Sequence, residues 1–222
     1  MLPRSTVGKK IVMAASGFIL VGFVVAHMIG NLKIYLGAEH FNAYARFLRE
    51  VAEPLLGYSG LLWGVRVVLL GCVVLHVAAA YQLTRLNQAA RPVAYAVGRR
   101  PASYAAWTMR WGGFVLLLFV IYHLLHFTLG SVGYAPGEFR HLDAYHNVVI
   151  GFRVWYVSLF YVVAMLALGL HLWHGTWSMF QTLGVMNPRW DRTVQAAGAV
   201  LAVVVVAGNV SVPLAVVTGL LR

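Results

Sequence analysis

The stretch YVVAMLALGLHLWHGTWSMFQTLG, from Tyr161 to Gly184, is long and apolar and carries two histidines, His171 and His174, where hydrocarbon is expected. A polar ring inside a membrane helix is costly and needs a partner. Three other long apolar stretches also carry histidines at depth: one holds His27, one His76, and one His123 with His126. Four histidine-bearing helices in one small membrane chain predict a bundle whose interior holds metal.

The composition agrees with a membrane chain. Of 222 residues 61% are hydrophobic, and the mean hydropathy of +0.77 is far above that of a soluble domain. Only 10% are charged, too few to coat a soluble surface. The net charge of +11 lies between apolar spans and not in a solvated patch, so no nucleic-acid partner is expected. The lone Cys72 sits inside an apolar run, which excludes a disulfide framework and a cysteine-ligated iron–sulfur cluster. Met1 to Lys10 is basic, but no small-residue cleavage site follows the first apolar run, which is read as a retained helix.

Five spans emerge, each long enough to cross ~30 Å of hydrocarbon at ~1.5 Å per residue. They run roughly from Ile11 to Leu36, Gly60 to Leu86, Ala105 to Leu129, Val148 to Leu183, and Thr193 to Leu221. The fourth is longer than a membrane needs and is expected to tilt or project. Pro54, Pro92, Pro101 and Pro188 fall between spans, whereas Pro213 kinks the last. No linker or soluble segment interrupts the pattern, so residues 1–222 are expected to form a single all-α transmembrane domain.

Loop charge sets the orientation. The N-terminus carries Arg4, Lys9 and Lys10 without an acid, and the second-to-third connection carries Arg85, Arg91, Arg99, Arg100 and Arg110, again without one. The first-to-second connection balances Lys33, Arg46 and Arg49 against Glu39, Glu50 and Glu53. Lysine and arginine concentrate on the cytoplasmic side. The N-terminus is therefore expected inside and, after five spans, the C-terminus outside.

Depth then pairs the histidines. His27 lies 16 residues after Ile11 and His123 lies 16 after Trp107, which puts both ~24 Å above the inner edge. On the spans that run inward, His76 is 9 residues before Arg85 and His171 is 9 before Phe180, which puts both ~14 Å above it. Two imidazoles from facing helices are what a six-coordinate b-type haem needs as axial ligands. His27 and His123 make an outer pair, and His76 and His171 an inner pair. His126 and His174 each follow a better-matched histidine by three residues on nearly the same face. Depth matching sets them aside. A single intramembrane histidine is ordinarily a ring bonded to a neighbouring helix, but two depth-matched pairs are not so explained. His40, His141 and His146 read as polar loop residues.

These stretches resemble a known family. AASGFILVGFVVAHMIGN (Ala14 to Asn31), LHVAAAYQLTRLNQAARP (Leu75 to Pro92), FVIYHLLHFTLG (Phe119 to Gly130) and LGLHLWHGTWSMFQTLG (Leu168 to Gly184) resemble the first four helices of the succinate dehydrogenase/fumarate reductase cytochrome b subunits. The likeness is to the single-polypeptide, five-helix, two-haem type, and it covers nearly the whole chain. Carried over position by position, the family's axial ligands fall on His27, His76, His123 and His171.

The resemblance implies the membrane anchor of complex II in a bacterial cytoplasmic membrane. Its partners there would be a flavoprotein subunit, an iron–sulfur subunit, membrane lipid and a quinone, expected to be menaquinone, with a higher oligomer of the complex also possible for the family. The chain has no Gly-rich dinucleotide loop and no cysteine cluster, so flavin and cluster chemistry belong to the partners. Some quinol–fumarate reductases of the family carry a buried glutamate two residues before the fourth-helix ligand. Here that position is Gly169, which tilts the expectation toward succinate oxidation over quinol:fumarate reduction.

Haem propionates need cationic or hydroxyl partners. Lys33 and Arg153 are the outer candidates and Arg85 and Arg110 the inner ones, each also able to snorkel at an interface. Tyr35, Glu39, Glu50 and Arg66 are candidates for a quinone site near the outer haem, with Asp143 and Arg153 close by. An inner pocket of Trp173, His174, Trp177 and Ser178 is the alternative. Two other functions use comparable features. The cytochrome b subunit of a membrane hydrogenase or formate dehydrogenase also uses helical histidines, but its motif pattern is missing. A proton-relaying transporter would need intramembrane acids, and no span core carries one.

Overall fold

Ser5 starts the first helix. Its side chain accepts a hydrogen bond from the Gly8 N–H at 3.0 Å, which satisfies one of the free donors of the first turn. The computed structural model describes residues 5–90 and 102–222, and of 102–106 the backbone only. Helix α1 (Thr6–Leu32) tightens into a 3-10 turn (Lys33–Leu36) and stops at Gly37, whose φ of +93° suits a residue without Cβ. Two further helices follow, α2 (Ala38–Glu50) and the single turn α3 (Glu53–Leu56), which carries Pro54 as its second residue. Then come α4 (Gly60–Ala89), α5 (Ala102–His123), α6 (Ala144–Arg153), α7 (Trp155–Thr182) and α8 (Asp191–Val217). No strand occurs among the described residues.

Five helical stretches are long and apolar enough to cross a membrane: Thr6–Leu36, Gly60–Ala89, Trp107–Thr128, Trp155–Thr182 and Asp191–Val217. They give the chain a multi-pass membrane architecture. Pro213 is accommodated inside α8. Arg91, Arg99 and Arg100, with Pro92 and Pro101, lie outside the described residues.

The expected fourth span, Val148 to Leu183, is two helices. The helix breaks at Val154, whose ψ of 102° is extended, between α6 and α7. The Ser158 hydroxyl donates to the Phe152 carbonyl at 2.6 Å and satisfies an acceptor that the break leaves out of the helix. Part of the excess length thus becomes α6, which packs on α2, α7 and α8. The first-to-second connection, read as a charged loop, is largely helical for a related reason. Helix α2 places Phe41 in the core while Glu39, His40, Arg46 and Glu50 are exposed.

Helix α7 is the centre of the bundle. About 39% of its apolar stretch is buried within the chain, against 6% for α4 and for α5. It packs closely on α8, where a Cβ at Gly169 would meet Val206 at 2.6 Å. Helix α1 packs on α4 and α8, and α5 on α7. The pairs α1 with α5 and α4 with α7 are not closely packed. A core of Ile34, Phe41, Phe119, Phe152, Val157 and Tyr161 closes the end of the bundle that carries α2 and α6.

Candidate functional site: two facing histidine pairs

The two loosely spaced helix pairs are the ones that carry facing histidines. The rings of His27 on α1 and His123 on α5 have centroids 5.8 Å apart and planes at 88°. Those of His76 on α4 and His171 on α7 are 6.2 Å apart at 63°. An imidazole nitrogen binds a first-row metal at roughly 2.0 Å and its ring centre lies about 1 Å further back, so two imidazoles across one iron have centres about 6 Å apart. Both pairs meet that spacing. Among the described residues no group of three or more His, Cys, Asp or Glu side chains converges. A bare ion would lack its usual ligand number, whereas a haem iron, already held by four macrocycle nitrogens, needs two ligands from the protein.

The hydrogen bonds on the rings fit metal ligation as well. His76 Nδ1 lies 3.1 Å from the Met13 carbonyl oxygen and 3.3 Å from Ser16 Oγ. The Ser16 hydroxyl is itself directed to the Val12 carbonyl at 2.7 Å. An Nδ1–H donated to Met13 leaves Nε2 with its lone pair free for a metal. His123 Nδ1 lies 3.3 Å from the Tyr161 hydroxyl, which can accept a proton from Nδ1 and so is compatible with the same tautomer. His171 Nδ1 is buried and has no hydrogen-bond partner among the described residues, so no contact of this ring fixes its tautomer. Gly17 clears space for His76, since a Cβ there would stand 3.2 Å from its Cε1.

The two competing histidines have other partners. His174 Nδ1 contacts the Leu170 carbonyl of its own helix at 3.0 Å. His126 lies in the π turn (Leu124–Thr128) that widens the end of α5, is fully buried, and bonds the Tyr161 hydroxyl through Nδ1 at 3.0 Å. Tyr161 therefore touches both His123 and His126. Sequence inspection passed over this tyrosine, because nothing in an apolar run distinguishes a packing phenol from a bridging one.

The candidate cations and quinone residues scatter more. Lys33, in the 3-10 turn, places Nζ 5.1 Å from the Tyr44 ring. Arg153 is exposed at the end of α6, Arg85 is exposed on α4, and Arg110 is exposed on α5. Arg66 is half-buried and stacks on Trp63 at 4.9 Å. Tyr35, Glu39 and Glu50 are exposed. Glu39 and Glu50 sit near opposite ends of α2, ~16 Å apart along its axis, so one small site holds only one of them.

A cavity of about 330 Å³ is lined among others by Asn42, Asp143, His146, Val149, Arg153 and Arg222, and of the expected quinone residues Tyr35, Glu39, Glu50 and Arg66 none lines it. Asp143 ties its walls together. It accepts from Asn42 Nδ2 at 2.9 Å and from the His146 N–H at 3.1 Å. Burial works against its charge, but the Asn42 and His146 hydrogen bonds, with the nearby His146 and Arg140, outweigh that and hold the carboxyl below its ordinary value. Burial, with Tyr122 nearby, pushes the Tyr134 phenol up, so it stays a donor and gives its proton to the Asn147 carbonyl at 3.1 Å. Asn42 and His146 were not among the expected site residues. Their part depends on α2 and α6 folding against each other.

Comparison with family models, with curated proteins and with solved structures finds no match to this chain.

Proposed function

We propose that this chain is the dihaem cytochrome b anchor of a succinate:quinone oxidoreductase, oriented with its N-terminus in the cytoplasm. The single observation that carries this reading is the presence of two facing imidazole pairs, 5.8 and 6.2 Å between ring centres, on helices otherwise held apart. His27 with His123 would hold an outer haem b, and His76 with His171 an inner one. Bound haem supplies one-electron transfer at two depths, which suits relay between an iron–sulfur partner at one surface and a quinone at the other.

The chain's own residues have distinct tasks in this scheme. The Met13 carbonyl orients His76, and Gly17 leaves its ring room. The exposed Arg85 and Arg110, at the N-terminal end of the bundle, offer a basic surface to an iron–sulfur subunit. At the opposite end the 330 Å³ cavity is of a size for a quinone head group. Asp143, His146 and Arg153 line it, and one wall is α6, whose Phe152 packs on Tyr161 at 4.9 Å between ring centres. Gly169 supports succinate oxidation over proton-coupled fumarate reduction, because α8 leaves no room for a carboxylate there.

A reduced-minus-oxidised spectrum with haem extraction from the purified protein tests the reading. Two b-type haems per chain are expected, and a protein without haem refutes it. Cross-linking from Arg85 or Arg110 replaced by cysteine should then capture an iron–sulfur subunit. Capture from the α2/α6 end instead would reverse the orientation.

A further inference from the structure

The two haem-facing pairs differ in what stands behind the α4 and α5 ligands. His76 leans on a backbone carbonyl, a partner with no proton of its own. His123 leans on the Tyr161 hydroxyl at 3.3 Å, which also contacts His126 Nδ1 at 3.0 Å. A hydroxyl has one proton and two acceptor lone pairs. For His123 Nε2 to face a metal, its Nδ1 must carry the proton and give it to Tyr161 Oη. The Tyr161 proton then finds its acceptor in His126 Nδ1 at 3.0 Å, which places the His126 proton on Nε2. The opposite direction, Tyr161 donating to His123, would put the His123 proton on Nε2 and block it.

The surroundings are built for that chain of bonds. His126 is fully buried, and Tyr161 is 5% exposed. Two glycines from other segments clear space around the His126 ring: a Cβ at Gly151 would lie 2.6 Å from its Nε2, and one at Gly133 would lie 2.8 Å from it. Tyr122 and Tyr134 close the remaining sides, with ring centres 5.6 and 4.8 Å from that of His126. A polar ring enclosed this tightly, with its outer nitrogen unpartnered among the described residues, is expensive to keep. An apolar side chain would pack there at lower cost, so the ring's value lies in the bond it makes.

We propose that Tyr161 and His126 are positioning residues that fix the tautomer of His123 and, by withdrawing its Nδ1 proton, lower the reduction potential of the outer haem. This rests on the functional reading above. A hydrogen-bond acceptor behind a ligating imidazole raises its basicity and favours the oxidised iron. Donation to His126 makes the phenol oxygen a better acceptor than it would be alone. The inner haem, with its carbonyl behind His76, is untouched by either side chain.

The test is a redox titration of the purified haem-loaded protein, with His123→Ala used to assign the outer haem. Tyr161→Phe keeps the ring packing and removes the hydroxyl. The expected result is an upward shift of the outer midpoint potential with the inner one unchanged. His126→Leu should shift it the same way by less, and His126→Asn, whose side-chain oxygen can replace Nδ1 as acceptor, should restore it. Unchanged potentials in Tyr161→Phe with both haems present overturn the inference. If Tyr161→Phe loses the outer haem, His126→Leu decides: an upward shift upholds the proposal and an unchanged potential overturns it. A wild-type protein that binds no haem refutes the functional reading, whereas haem-loaded variants with unshifted potentials refute this inference alone.

Discussion

His76 Nδ1 on α4 lies 3.1 Å from the carbonyl oxygen of Met13 on α1, with Ser16 Oγ at 3.3 Å. The bond spans two helices and orients a ring whose centre lies 6.2 Å from that of His171, and in the proposed function these two rings hold one haem. Replacing His76 or His171 with Ala should therefore remove one haem of two, and replacing His27 or His123 with Ala should remove the other. His174→Ala should leave both, since His174 bonds only its own helix carbonyl through Nδ1 in the described contacts. Haem extraction per chain measures this. Loss of a haem from His174→Ala with retention in His171→Ala would reverse the assignment.

The same contact makes a steric prediction. Gly17 stands where a Cβ would come within 3.2 Å of the His76 ring. Gly17→Val should push the ring off its Met13 bond and reduce haem content from two toward one per chain, with the outer spectrum kept. Gly22→Val, one to two turns away with nothing within 4 Å of its Cβ position, is the control and should bind both.

The break between α6 and α7 depends on Ser158. Its hydroxyl is buried and donates to the Phe152 carbonyl at 2.6 Å. Ser158→Ala leaves that carbonyl without its partner, a loss of about 1–3 kcal/mol. A lowered melting temperature in detergent is expected. An unchanged one would mean that the carbonyl finds another donor and that the hydroxyl does not hold the break.

Asp143 predicts an acid limit for the α2/α6 end. Its folded pKa is depressed, so its contribution to stability is fully present above the ordinary carboxylate value of roughly 4 and is lost as pH falls through the lower folded value. Asp143→Asn should lower the melting temperature at neutral pH and flatten its decline below about pH 4. Parallel melting curves for both proteins across that window would show that another group sets the acid limit. The effect is expected to be modest, because the carboxyl is one-third exposed (33%).

Much was written in the linear pattern. The apolar runs needed only length to be read as five membrane-crossing stretches, and counting residues from each span edge brought His27 to the depth of His123 and His76 to that of His171. Helical rise is constant, so depth is a property of the sequence once the spans are known. The structure pairs the same four rings. What depth counting cannot supply is azimuth, the direction in which each side chain leaves its helix. Residues three apart share nearly one face, so His123 and His126 were separable by depth alone and by a narrow margin. Packing distinguishes their surroundings: the His123 ring lies 5.8 Å from that of His27, while Gly133 and Gly151 lie against the His126 ring, which bonds Tyr161. The helix break at Val154 was likewise hidden, because no Pro or Gly stands at that residue and the Ser158 hydroxyl that turns back to the Phe152 carbonyl is seen only in the folded chain. The cavity around Asp143 needed α2 and α6 folded against each other. Periodicity and length fix what lies along one helix axis, while contacts between distant segments arise only when the helices choose their neighbours.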